Sequence, residues 1–158
     1  MSTVYQKGAR EVAQQNLDVE GSADIVLIPM SQSYTPDAEA HEFISDVVAD
    51  ELDADGYDGG FSGADRQTPS SRSWDRNDSA SPSRLELQFD DVTWSDLGGG
   101  VSTNNDVMHG VVIAEERTDD TDSPLLGFDT LADDRATNGA DITYSTDADG
   151  MIQLVTNP

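Results

Sequence analysis

Apolar residues along this chain gather into short runs divided by polar turns. Ile25, Val26, Leu27 and Ile28 form an unbroken apolar run that Pro29 ends, following the punctuation of Gly21 and Ser22. Such a run predicts a strand, Ala23 to Met30, covered on both faces. Leu85, Leu87 and Phe89 alternate with Glu86, Gln88 and Asp90, the period of a half-buried strand, and the pattern resumes at Val92 and Trp94 after a slip of register at Asp90-Asp91. Val107 to Ala114 and Pro124 to Leu131 predict two more strands. Ile142 to Tyr144 is expected to pair with Met151 to Val155 across a turn at Asp149-Gly150.

Two stretches carry helical spacing instead. Between Met1 and Glu20, Tyr5, Val12, Ala13 and Leu17 make a weak amphipathic pattern, that of one short helix or of an arm ordered against a neighbouring subunit. In Ser33 to Tyr57, Thr35 suits an N-cap, Pro36 the first helical position and Asp37 the first turn. Ala40, Phe43, Ile44, Val47 and Val48 then repeat at i, i+3, i+4, i+7 and i+8, which predicts a helix from Pro36 to about Val48 ended by DADGY. The β-branched pair at its end leaves open a shorter helix followed by a strand through Glu51.

Short strands between turn signals predict a mainly β fold: an antiparallel sandwich or barrel with one short helix near residues 36–48 and an N-terminal helix or arm. The length of 158 residues suits a single core. Residues 1–20 are expected as the arm or short helix and 21–158 as one β-rich domain. Within it, Asp58 to Ser83 is dense in Gly, Ser, Pro, Asp and Arg, with little to bury except Phe61 and Trp74. It predicts a long loop or surface hairpin.

Charge changes this picture most. Thirty-two acidic residues against 8 basic ones leave a net charge of -24, and Asp greatly outnumbers Glu while Lys7 is the sole lysine. Self-repulsion of that size opposes compaction in dilute buffer and fades at molar salt, where the Debye length falls to ~3 Å. The acids interleave with apolar runs rather than forming a tail, so the composition resembles that of proteins from extreme halophiles. Phosphate binding needs a basic patch and the arginines are scattered, which argues against nucleic acid as a partner. No cysteine is present, so disulfides, thiol nucleophiles and thiolate metal sites are excluded. No apolar run approaches the ~20 residues of a membrane span, and Met1 to Arg10 lacks the pattern of a signal peptide.

Candidate chemistry is sparse. His41 and His109 are the two histidines; neither lies in a nucleophile-elbow or zinc-protease motif, and no phosphate-cradling glycine loop is present. No catalytic or cofactor-binding residue is therefore nominated. Asp53 and Asp55, and again Asp147 and Asp149, stand in the repeated text DADG. Closely spaced carboxylates and a turn-making Gly are ingredients of a structural Ca²⁺, Mg²⁺ or Na⁺ site, and equally of a tight turn. In the 58–83 stretch, Arg66, Arg72, Trp74 and Arg76 are the expected partner contacts, because Arg and Trp are favoured interface anchors and the surroundings are acidic.

Three segments in order, SYTPDAEAHEFISDVVADELDADGY, LELQFDDVTWSDL and HGVVIAEERTDDTDSPLLGFDTL, resemble a family of small virion proteins encoded among the structural genes of tailed phages. The matching residues are Tyr34, Thr35, Pro36, Asp37, His41, Phe43, Asp46, Gly56, Tyr57, Asp91, Val92, Trp94, Val111, Val112, Pro124, Leu125, Gly127 and Phe128. The 58–83 connector is longer and richer in Arg and Gly than the family pattern. The resemblance implies a non-enzymatic head component of a tailed virus, here one infecting halophilic archaea. Its expected form is a decoration protein or vertex turret subunit, made in the host cytoplasm and assembling with itself and with the major capsid protein or other virion proteins. A tail or connector ring subunit is the alternative within the virion, and a small hydrolase the alternative outside it.

Overall fold

The computed structural model describes residues 2–13, 18, 23–78, 84–99, 106–146 and 153–155. Along them run β1 (Ser2–Val4), α1 (Gln6–Ala13), β2 (Ile25–Ser31), single turns of 3-10 helix at Ile44–Asp46 and Val48–Asp50, β3 (Ser73–Asn77), β4 (Arg84–Gln88), β5 (Val92–Gly98), β6 (Val107–Glu115), β7 (Leu125–Ala136), β8 (Asn138–Tyr144) and β9 (Gln153–Val155). The fold is mainly β, its sheets antiparallel and packed in the manner of a sandwich.

The central sheet has the order β1-β7-β6-β2, and β2 shows why its sequence reads as a continuous apolar run. Ile25 and Leu27 point into a core shared with Leu87, Phe89, Val92, Trp94, Leu97, Ile142 and Tyr144 of the smaller β3-β4-β9 and β5-β8 sheets or of the chain beside them. Val26, Ile28 and Met30 point the other way, into a second core with Tyr5, Tyr34, Ile44 and Val47. Both faces are covered, so both parities must be apolar. Each such side chain contributes about 1.5–3 kcal/mol on full burial.

β6 follows the same rule except at one residue. Met108 and Val111 share the first core although they stand three positions apart, opposite parities in a regular strand, which requires an irregularity between. Pairing with β7 steps from Met108↔Arg135 to Gly110↔Thr130, so Leu131 to Asp134 bulge out opposite His109 alone. The N-terminal residues dock on the other edge of this sheet: β1 pairs with β7, and Tyr5 is fully buried. Gly8 lets α1 lie directly on β7, since a Cβ there would stand 2.6 Å from the Cα of Leu126.

Two expectations are corrected. The helix predicted over 36–48 does not form; that segment carries a turn at 38–40 and then the first 3-10 turn, with the second following at Val48–Asp50. Asp37 Oδ1 accepts from the backbone N–H groups of Glu39 and Ala40, and Asp46 Oδ2 from those of Glu42 and Phe43. Ile44 N donates to Ser123 O at 2.9 Å and Leu125 N to Glu42 O at 3.0 Å. Short acidic side chains and a neighbouring strand take the backbone groups that a helix would have used. Of the helical stripe, Ile44 and Val47 are buried whereas Val48 is exposed.

The expected pairing of 142–144 with 151–155 is also replaced. β8 pairs with β5, and β9 with β4. The pattern read as one strand across Asp90-Asp91 divides between two sheets, because β4 joins β3 and β9 while β5 joins β8. The proposed turn at Asp149-Gly150 lies outside the described residues.

Candidate functional site

The stretch after the second 3-10 turn folds into a closed loop beside β2, bridged to it at Leu27 and Gln67, and Arg66 holds it shut. Its side chain is fully buried. Nε and Nη2 donate to Oε1 and Oε2 of Glu51 at 3.1 and 2.7 Å, and Nη1 donates to Glu116 Oε1 at 3.0 Å and Asp120 Oδ1 at 2.7 Å. A second Nη2 bond reaches Asp120 Oδ2 at 3.3 Å. Guanidinium carries five N–H groups in a fixed fork, and all five are used. Burial works against the charge, but the bonds to Glu51 and Asp120 more than reverse this, and the Arg66 pKa lies above the ordinary arginine value.

The same carboxylates order the loop backbone. Glu51 Oε1 also accepts from Tyr57 Oη at 2.7 Å and Gly60 N at 3.1 Å, and Glu116 Oε1 accepts from Ser62 N at 3.2 Å. Asp58 N donates to Asp65 Oδ2 at 2.7 Å, and Trp94 Nε1 donates to Asp65 O at 2.7 Å, tying the loop to β5. Burial, followed by the charge of Glu51, pushes the Tyr57 hydroxyl far above the usual phenolic range.

The four expected contact residues therefore separate. Arg66 is corrected from a partner contact to the centre of an internal ion cluster, because none of its donors is left to meet another molecule. Arg72 Nη1 donates to Ala23 O at 3.0 Å, which fastens the segment before β3 to the segment before β2. Trp74, on β3, is half-buried and packs against the main core. Arg76 faces solvent, with a side chain 72% exposed and paired at 2.6 Å to the equally accessible Asp78.

Asp53 and Asp55 lie on a turn whose backbone is committed. Asp53 O accepts from Asp106 N at 3.0 Å, Asp55 O from Gly98 N at 2.6 Å and Ala54 O from Tyr57 N at 3.1 Å. Among the described residues no group of three or more His, Cys, Asp or Glu side chains is arranged to hold a metal ion. Asp147 and Asp149 lie outside the described residues.

Both histidines border one aromatic row. Tyr34 stacks on His41 at 5.8 Å and meets the edge of Phe128 at 4.9 Å, and Phe128 lies 6.2 Å from His109. Tyr5 and Tyr34 join through their hydroxyls, and burial pushes Tyr34 up to about 12. His109 Nδ1 donates to Asp134 Oδ1 at 2.7 Å, and Gln32 Nε2 donates to Asp134 Oδ2 at 2.8 Å. The His109 bond holds the Asp134 carboxyl below the usual range. A carboxylate orients an imidazole here, and the pair ties the β7 bulge to the β6 bulge and to the end of β2.

Sequence reasoning did not find Glu51, Glu116 and Asp120, since nothing in the sequence announces that Glu51 and the β6–β7 connection share one cation. It also did not find a cleft of about 360 Å³ lined by Asp129, Thr130, Leu131, Ala132, Thr143, Tyr144 and Ser145, which adjoins the bulge in β7. No protein-family model matches the chain, and no match appears among curated proteins or solved structures.

Proposed function

We propose that this chain is a non-enzymatic structural protein of a virion, a capsid decoration or vertex turret subunit that assembles as a symmetric homo-oligomer on the head of a tailed virus of halophilic archaea. The observation that carries the reading is how the segments of the virion-like pattern pack. Tyr34 from the first segment contacts Phe128 from the third, Phe43 bridges Pro124, and Trp94 from the second is pinned to the loop that leaves the first. Residues far apart in sequence thus form one structural unit. The acidic composition supports the halophilic setting, and avidity on a lattice lets many weak contacts hold a small subunit in place.

Cross-linking of intact particles followed by peptide mapping tests this. The expected result is linkage of this chain to itself and to the major capsid protein. Linkage to tail proteins alone would replace the head reading with the tail or connector ring, and absence of the chain from purified particles would remove both. Transfer of particles from molar to dilute salt is expected to release the subunit as acidic repulsion returns.

A further inference from the structure

Of the asparagines Asn16, Asn77, Asn104, Asn105, Asn138 and Asn157, Asn138 alone precedes a glycine. Asn138, Gly139 and Ala140 are exposed, at the start of β8. The ladder with β5 steps from Leu97↔Ala140 to Gly98↔Asn138, so Gly139 is an extra residue that faces no residue of β5. It takes left-handed backbone at φ 87°, a conformation that glycine adopts without strain.

The residues on either side are fixed. Thr137 is buried and its Oγ1 donates to Asp106 O at 2.8 Å, and Ala140 is paired to Leu97. Gly99 lays its bare backbone on Gly139, where a Cβ would stand 2.8 Å from the Gly139 Cα. Within this frame Asn138 Oδ1 accepts from Ala140 N at 3.3 Å. That bond folds the side-chain amide back along its own backbone toward Gly139. It also sets an N–H donor at the oxygen on which negative charge develops when Cγ is attacked. Two groups held together in this way react as if highly concentrated, and Gly139 has no side chain to block the approach.

We infer that Asn138 is a site of spontaneous deamidation and isomerisation, with Gly139 N as the nucleophile and water as the co-reactant. Gly139 N gives up its proton to solvent hydroxide and bonds to Asn138 Cγ, while the carbonyl electron pair moves onto Oδ1, facing the Ala140 N–H. Collapse of that intermediate breaks the Cγ–Nδ2 bond. Nδ2 takes up a proton and leaves as ammonia, closing a five-membered imide. Water then adds to either imide carbonyl, and ring opening leaves aspartate or isoaspartate at position 138. The sum is amide plus water giving acid plus ammonia, with no redox change. An isoaspartate runs the main chain through one extra methylene where β8 enters its ladder, and either product adds a negative charge to a chain already at -24.

The test is to age the full chain in molar KCl at mildly alkaline pH in heavy-oxygen water and then map its peptides by mass spectrometry. Conversion at Asn138 is expected to run at least about tenfold faster than at any other asparagine, since proximity and the missing Cβ act together there alone. Heavy oxygen should enter both the aspartate and the isoaspartate product. Conversion no faster than at the other asparagines, aspartate without isoaspartate, or conversion only after unfolding in denaturant would each overturn the inference. Hydrogen exchange gives a second readout: the aged chain is expected to lose protection in β5 and β8, and Asn138→Gln, whose longer side chain does not close the five-membered ring, to keep it. Equal loss in both chains overturns the assignment to Asn138.

Discussion

The two halves of the 58–83 stretch read alike in sequence and behave oppositely in structure. Residues 58–67 are polar, rich in Gly and carry Arg66; residues 72–77 are polar and carry Arg72 and Arg76. The first half is closed around a cation with all its donors engaged, whereas the second forms an outlying strand whose last arginine faces water. The difference comes from what lies beneath. Glu51 from beyond the second 3-10 turn converges at the first half with Glu116 and Asp120 of the β6–β7 connection, and a guanidinium is the one side chain here that can satisfy them in a fixed planar fork. An arginine in an acidic protein is thus a structural resource as readily as a contact, and burial decides which.

Breaking the cluster should have the largest effect. Arg66→Ala leaves three crowded, mostly buried carboxylates without their cation, and removal of one partner from a buried ion pair costs about 3–5 kcal/mol. Denaturant unfolding in molar salt is expected to show a loss of that order, a large fraction of the total stability of a small domain. Arg66→Lys should recover only part, since an ammonium cannot serve the fork. If Arg66→Ala unfolds like the parent chain, the internal cluster contributes nothing and the contrast between the two halves disappears.

Trp74→Ala comes next. The ring is half-buried against the core, so the loss should be about 1–2 kcal/mol, less than half of a full aromatic deletion. A value near zero would place Trp74 with Arg76 as surface.

The pH dependence sharpens the same contrast from the alkaline side. Tyr57 and Tyr5 are raised above the usual phenolic range, and Tyr34 to about 12, in each case first by burial. The unfolded chain releases these protons near pH ~10 while the folded chain keeps them. Their contribution is therefore complete below pH ~10 and declines above it, by up to about 1.4 kcal/mol per pH unit for each tyrosine. Unfolding followed between pH 8 and 12 (roughly the span of the usual and raised values) should show flat stability and then a fall, with a shallower fall in Tyr57→Phe.

The smallest effect belongs to Arg76. Its exposed pair with Asp78 is worth little, and Arg76→Ala should change stability by no more than about 0.5 kcal/mol. Of the four expected contact residues it is the one on which assembly can be tested without disturbing the fold: weaker incorporation into particles with unchanged unfolding would mark a contact, and normal incorporation a solvated arm.

How much of this could be read from the sequence depended on which force decided each element. β2 was legible because burial on two faces leaves an uninterrupted apolar run, and the start of β5 because burial of Val92 and Trp94 on one face leaves alternation. The stretch from Pro36 to Val48 misled because its apolar spacing fits a helix, while Asp37 and Asp46 cap turns and β7 supplies competing backbone partners. The partners of β8 and β9 were misassigned because adjacency along the chain favoured a hairpin, whereas the hydrogen bonds run to β5 and β4. The candidate site was the least legible part. The bulge that sets His109 against Asp134 and the convergence on Arg66 both depend on contacts between distant segments, which local pattern does not encode.

The central claim, a head-associated virion subunit, is tested most directly by a reconstruction of the intact particle in molar salt. The account requires density for this chain at regular positions on the capsid lattice or its vertices. Density confined to the tail, or none on the particle, would contradict it.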